Sequence, residues 1–359
     1  METLLNLSLE EIEKVVLKQG EPKFRAMQIY QGLYLGKSFN EISTLSQTFK
    51  TYLQNNFYSQ PLSILDTKIS KDGTIKFVFK LLDNNIIESV LMQYEYGYTL
   101  CVSTQIGCNM RCKFCASGLS GKVRDLTSGE ILAEVILANK FLDGKLGEKR
   151  KITNIVLMGS GEPLENYDNV TKFLRLVTYE KGFNISERNI SLSTCGIVEN
   201  IYKLADDGFK VTLTISLHAI KDEIRKEIMP IAKRYTVKEI LNACEYYYNK
   251  TNRRIVFEYT LIKDVNDSMN EPYAIKNIMK RYKMQYHFNV ICLNENDGIS
   301  ELKTTGRDYA RKFTNNLEKN GVSASLRRTL GEDIEGACGM LRKKYLEQKD
   351  WYFTILKIL

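Results

Sequence analysis

The chain has 359 residues, 43% hydrophobic and 26% charged, with 51 Lys and Arg against 43 Asp and Glu. That length holds one large domain plus a smaller one, with a sizeable core. No apolar run of about eighteen residues and no basic-then-apolar leader is present, which argues against a membrane span and a signal peptide, while the charge surplus is compatible with a polyanionic partner but modest for one.

Residues 1–60 read as helical. Ser8-Leu9-Glu10-Glu11 is a capping box, with Leu9, Ile12, Val15 and Val16 on one face. Gly20 stops that helix, and Pro22 suits the first turn of the next. The segment 23–34 interleaves Lys23 and Arg25 with Phe24, Tyr30 and Tyr34. That mixture suits RNA phosphates and bases, although a solvated basic face is the plainer reading. This stretch is expected to form a helical accessory domain that contacts RNA.

Pro61 marks a change to strands, and 61–97 is expected to be a β-hairpin extension. Asp72-Gly73 and Asp83-Asn84-Asn85 are turns. Ile75, Phe77 and Phe79 alternate with Lys76, Val78 and Lys80. Glu88 stands in the apolar run 86–90: either a solvent-facing strand residue or a carboxylate placed at a site.

From 98 to 345 strand and helix alternate. Strands are predicted over 99–105, 152–158, 189–194, 210–217, 254–262 and 286–293. Helices are predicted over 127–141, 166–177, a stretch ending at 207, 236–249 and 305–320, with Asn266-Asp267-Ser268 as a cap for the segment after the fifth strand. A last strand covers 322–327, and residues 346–359 form a tail. Six β-then-α units imply parallel strands with right-handed crossovers, hence an α/β fold with a partial (β/α)₆ barrel.

Eight cysteines include a trio, Cys108, Cys112 and Cys115, at C-x₃-C-x₂-C spacing directly after the first predicted strand. Structural zinc takes four ligands with C-x₂₋₄-C pairs, and no second pair lies nearby. Three thiolates suit an iron–sulfur cubane with one iron left open. Such cysteine use fits a reducing cytoplasm better than a disulfide framework. Chemistry in α/β barrels gathers where strands end. Gly159-Ser160-Gly161-Glu162-Pro163, Ser193-Thr194-Cys195-Gly196, Ser216-Leu217-His218 and Asn294 each close or follow a predicted strand. Two more thiols draw notice. Cys101 lies on the strand leading to the trio. Cys338 lies in Gly336-Ala337-Cys338-Gly339, sterically open between small residues.

The trio resembles the signature of the radical S-adenosylmethionine (SAM) enzymes. Together with Cys101 to Cys108, Met158 to Leu164, Asn166-Tyr167-Asp168-Asn169, Ile215 to His218 and Gly336 to Gly339, the chain resembles the RlmN/Cfr family of RNA adenine methyltransferases nearly end to end. Pro163 and the Asn-Tyr-Asp-Asn run favour the RlmN side. The resemblance implies a [4Fe-4S] cluster on Cys108, Cys112 and Cys115, with SAM on the open iron. It implies SAM contacts from Gly161, Glu162, Ser193, Ser216, Leu217, His218 and Asn294. It makes Cys338 the S-methylcysteine carrier, Glu88 the base that removes the C2 proton, and Cys101 the thiol that releases product through a transient Cys101–Cys338 disulfide. The implied partners are 23S rRNA, tRNA and an external flavodoxin-like or ferredoxin-like electron donor, with no membrane, for a cytoplasmic monomer. The runs 149–151, 327–328 and 342–344 are candidate phosphate contacts. Cys195 stands where relatives carry serine, and Glu295 follows Asn294 where proline is common. Methylation at C8, or an RNA-binding iron–sulfur redox sensor, are the alternatives; the sensor has no need for Cys101, Cys338 or Glu88.

Overall fold

The computed structural model describes residues 1–119, 121–294, 301–334 and 336. Cys338, the run 342–344 and the tail 346–359 lie outside them.

One ten-stranded sheet organises the molecule. β1 (Leu62–Ile69), β2 (Ile75–Leu81), β3 (Ile86–Tyr94) and β4 (Gly97–Cys101) pair antiparallel in sequence order. From β4 onward the pairing is parallel, through β5 (Ile152–Leu157), β6 (Ile190–Thr194), β7 (Thr212–Ser216), β8 (Ile255–Leu261), β9 (Tyr286–Cys292) and β10 (Ala324–Leu326). The expected α/β partial barrel of six units is therefore present, and residues 61–97 extend its sheet.

Three helices lead in: α1 (Leu9–Lys18), α2 (Phe24–Tyr34) and α3 (Gln47–Asn56). The Ser8–Glu11 capping box forms. Tyr30 and Tyr34 are buried and stack at 4.2 Å between ring centroids, and Tyr34 meets Phe183 at 5.6 Å. That corrects the reading of these two tyrosines as RNA contacts: their faces are spent on the barrel's outer layer. Lys140 Nζ donates to the Gly36 carbonyl at 2.8 Å, the Gly129 N–H donates to Asn6 Oδ1 at 2.8 Å, and Lys172 pairs with Glu11 at 3.2 Å.

The crossovers are α4 (Ser128–Phe141), α5 (Tyr167–Thr178), α6 (Val198–Asp206), α7 (Asp222–Ile228), α8 (Val237–Thr251), α9 (Glu271–Met279) and α10 (Arg307–Lys319). The Thr127–Glu130 capping box starts α4. Short α7 is an addition to the sequence reading. The Asn266 run does not cap a helix, since α9 begins at Glu271 with Pro272 in its first turn. Asn266 is buried instead. It accepts from the Ile262 N–H at 2.7 Å and donates to the carbonyls of His218 at 2.6 Å and Thr260 at 2.7 Å.

β2 shows why the sheet has two occupied faces. Phe77 and Phe79 are buried on the helix side, where Phe77 meets Phe141 of α4 edge-on. Lys76 and Val78, on the opposite face, are equally buried. Glu88 is buried as well, so it is not a solvent-facing strand residue.

Candidate active site

The cysteine trio sits in the loop after β4. Cys108 is buried, and Cys112 and Cys115 are half-buried. The Cys115 N–H donates to the Cys112 carbonyl at 3.1 Å, and the Lys113 N–H donates to Ile228 of α7 at 2.9 Å, which ties the loop to the barrel. Burial pushes the Cys108 thiol up to about 12 and the Cys112 thiol higher still, and the charges of the three sulfurs oppose one another. Thiolates in such surroundings need a cation beside them. Among the described residues no three His, Cys, Asp or Glu converge on the spacing of a single ion. A loop of three thiols with no fourth ligand fits a cluster of several irons better than one tetrahedral zinc.

Arg225 strengthens that fit. It rises from α7 fully buried, donating to the carbonyls of Cys195 at 2.6 Å, Leu217 at 3.2 Å and Ser216 at 3.3 Å. Its Nη1 is buried with no partner among the described residues, and its charge favours the Cys112 thiolate. A buried cation with a donor to spare suits an anionic thiolate–iron centre. The sequence reading passed over Arg225, which stands outside every motif.

The rim motifs gather as expected, for reasons the chain itself supplies. A Cβ on Gly159 would lie 2.6 Å from the Val102 carbonyl oxygen, and one on Gly161, at φ +111°, 2.6 Å from Gln105 Cβ. These glycines let the loop after β5 close onto the linker to the cysteines. Glu162 is buried. Its carboxylate accepts from the Cys195 N–H at 2.7 Å and the Leu164 N–H at 3.0 Å, and burial pushes its pKa up against those bonds. Residue 195 ties the rim together through its N–H and carbonyl, and its thiol also meets the Glu162 carboxylate.

Ser193 is buried and donates to Glu258 Oε2 at 3.5 Å; Glu258 pairs with Arg327 at 3.3 Å. Leu217 is buried and Ser216 half-buried at the end of β7. His218 turns in the left-handed region at φ +56°, held through its carbonyl by Asn266. Its Nδ1 accepts from the Thr260 N–H at 3.0 Å, which assigns the ring proton to Nε2. Burial, aided by Arg225, lowers its pKa to about 3, so the ring is neutral. Phe114, between two of the cysteines, meets it edge-on at 4.6 Å. Asn294 is exposed just past β9.

Glu88 and Cys101 come together through strand register. Cys101 pairs with Val90 across β3–β4. Glu88, two residues from Val90, therefore shares a face with Cys101 and stands diagonal to it. Cys101 is buried among Val90, Met92, Val156 and Met158. Two residues around Glu88 were not singled out from sequence. Lys76 Nζ lies 3.3 Å from Glu88 Oε2. On the far face, Glu134 of α4 is buried; it accepts from the Ser103 N–H at 3.0 Å and bonds the Ser89 hydroxyl. Ser103 Oγ donates to the Glu88 carbonyl at 2.9 Å and accepts from the Ser160 N–H at 3.0 Å. One buried network thus joins β3, the cysteine linker and the loop after β5. A Glu inside the helical pattern 127–141 was its one trace in the sequence.

The radical SAM superfamily model matches residues 102–273. Over 349 residues the chain is 48% identical to the "Probable dual-specificity RNA methyltransferase RlmN" of Clostridium novyi (strain NT), covering 96% of this chain and 99% of that one. The Clostridium perfringens (strain 13 / Type A) protein of the same name is 48% identical over 352 residues, 97% and 99% of the two chains. The chain belongs to the RlmN family. A crystal structure of a radical SAM methyltransferase from Sphaerobacter thermophilus superposes with a TM-score of 0.89 at 35% identity, covering 94% of this chain and 98% of that one. The chain is accordingly an RlmN-type radical SAM RNA methyltransferase, with a [4Fe-4S] cluster and SAM as its cofactors. No described helix is long and apolar enough to cross a membrane.

Proposed function

We propose that the chain methylates C2 of an adenosine at the peptidyl transferase centre of 23S rRNA and of the adenosine 3′ to the anticodon in certain tRNAs. The observation that carries this reading is the shared buried face of Glu88 and Cys101 next to the cysteine loop. It supplies a base and a thiol where an exposed adenine edge would enter, and a sensor needs neither.

Cys108, Cys112 and Cys115 hold the cluster, and Gly161, Glu162, Ser193, Ser216, Leu217, His218 and Asn294 surround SAM. When bound, the cluster and SAM would supply the methyl group, the radical and the acceptor for one returning electron. The other steps fall on this chain. Cys338, outside the described residues, carries the methyl carbon on sulfur and delivers it to C2. Glu88 accepts the C2 proton. Cys101 attacks the Cys338 sulfur and forms a Cys101–Cys338 disulfide as the sulfur–carbon bond breaks; that bond's electron pair leaves with the methylene carbon, which takes up a proton to become the methyl group, and an external reductant reopens the disulfide. Residues 1–60 and, within the 98–345 core, the basic run 149–151 contact RNA, the adenine being drawn out of its stack. We place the enzyme in the cytoplasm as a monomer served by a flavodoxin-like or ferredoxin-like donor.

The test is nucleoside analysis after anaerobic reconstitution with a 23S rRNA fragment and with tRNA. 2-Methyladenosine is expected in both. 8-Methyladenosine, or binding without modification, overturns the reading. Cys338→Ala is expected to abolish turnover and leave RNA binding unchanged.

A further inference from the structure

The carboxylate on β3 has a built partner. Lys76 is 0% exposed, and its ammonium lies 3.3 Å from Glu88 Oε2. The two are not directly opposed in the ladder, where Val78 faces Glu88 and Lys76 faces Val90. The lysine stem therefore reaches along the sheet to meet the carboxylate diagonally.

Such a pair is a poor device for stability. Desolvating an ammonium and a carboxylate costs roughly what their attraction returns, and apolar residues of like volume commonly serve as well. Ordering a long lysine side chain adds an entropic cost. A different use fits better. A base must be charged before it can take a proton, and a lone carboxylate in apolar surroundings tends to neutralise. Other ionisable groups on the face of Glu88 are Lys80 of β2 and Asp66 and Lys68 of β1, all half-buried, and Cys101 of β4. Glu134 of α4 lies across the sheet, bonded to Ser89 and Ser103. Among the described residues, Lys76 is the cation in direct contact.

We propose that Lys76 is the positioning residue of the proton-abstraction step. Its ammonium pairs with the Glu88 carboxylate and fixes its plane through Oε2. The C2–H bond then breaks with its proton going to the carboxylate and its electron pair staying with the ring. This inference rests on Glu88 being the base.

The test uses the full reconstituted chain and a 23S rRNA fragment, comparing wild type with K76M, K76Q, K76R and E88Q. Rates, iron content, RNA binding and the covalent protein–RNA adduct on denaturing gels are read together. K76M is expected to slow methylation by about a hundredfold and to accumulate adduct as E88Q does, with iron content and RNA binding unchanged. K76R restores the rate to within about tenfold of wild type, and adding K76M to E88Q costs less than about a further twofold. Should K76M fail to fold, K76Q decides, because it keeps a donor without the charge. A neutral variant with wild-type rate and no accumulated adduct, beside a slow E88Q, overturns the role of Lys76 and leaves the Glu88 reading standing. A fast E88Q overturns the Glu88 reading itself.

Discussion

The parallel strands β4–β9 and the antiparallel strands β1–β3 share one sheet but present their chemistry differently. In the parallel half, site residues stand at the last positions of strands and in the loops that follow, several together, as in Ser216-Leu217-His218. In the antiparallel half they stand in mid-strand. Lys76 and Glu88 are twelve positions apart in the chain and meet only because β2 and β3 pair in one register. A loop site depends on backbone that can close tightly; a strand site depends on which face each residue takes, and a slip of one residue would turn Glu88 to the other side.

Substitutions can break or sharpen that contrast. The largest effect is expected from Cys112→Ala in the parallel half. Iron content falls to background and methylation is lost, with the fold retained by circular dichroism. Next is Gly161→Ala, whose Cβ would strike Gln105 in a backbone conformation that L-residues rarely adopt. A loss of about 3 kcal/mol is expected in denaturant unfolding. A loss no greater than at an exposed loop glycine such as Gly208 would show that tight closure is not what the loop requires.

Glu134→Gln probes the network behind the antiparallel half. Burial holds the Glu134 carboxyl well above its ordinary 4.5, so the folded state keeps a proton that the unfolded state gives up. The raised value contributes stability that is whole below pH 4.5 and is lost as pH rises toward the folded pKa. The glutamine variant lacks that loss. Its stability relative to wild type should grow with pH, by up to about 1.4 kcal/mol per unit in that window, as read from unfolding curves at several pH values.

His218 gives the opposite sign. Its pKa is lowered from 6.5 to about 3, so its contribution is present above pH 6.5 and lost as pH falls toward 3. Its ring resonances should show the Nε2–H tautomer and no titration between pH 5 and 8. Smallest is Arg234→Ala. It breaks an exposed pair with Glu199 at 2.7 Å, and stability should change by no more than about 0.5 kcal/mol.

The same contrast explains what the sequence disclosed. The helices, the parallel strands and the rim motifs were legible because each is written in contiguous residues: capping boxes, periodic apolar positions, a cysteine trio. Asn266 misled because an Asx residue past a strand resembles a helix cap, while its side chain serves the His218 turn. Tyr30 and Tyr34 misled because aromatic residues beside Lys23 and Arg25 look alike whether they face RNA or the barrel. Lys76, Glu134 and Arg225 went unread because a lone charged residue in a strand or helix gives no sign of burial. Only tertiary pairing makes them partners of the site.

The docking of the first three helices has a mechanical consequence. Tyr34 against Phe183, Lys140 on the Gly36 carbonyl and Asn6 on Gly129 fasten them at separate points along the outside of the barrel. A unit bolted in several places cannot swing as one on a tether can. If residues 1–60 grip RNA as proposed, they grip it at a set span from the strands of the site, as the jaws of a caliper do, and distance along the RNA would then help to choose the target.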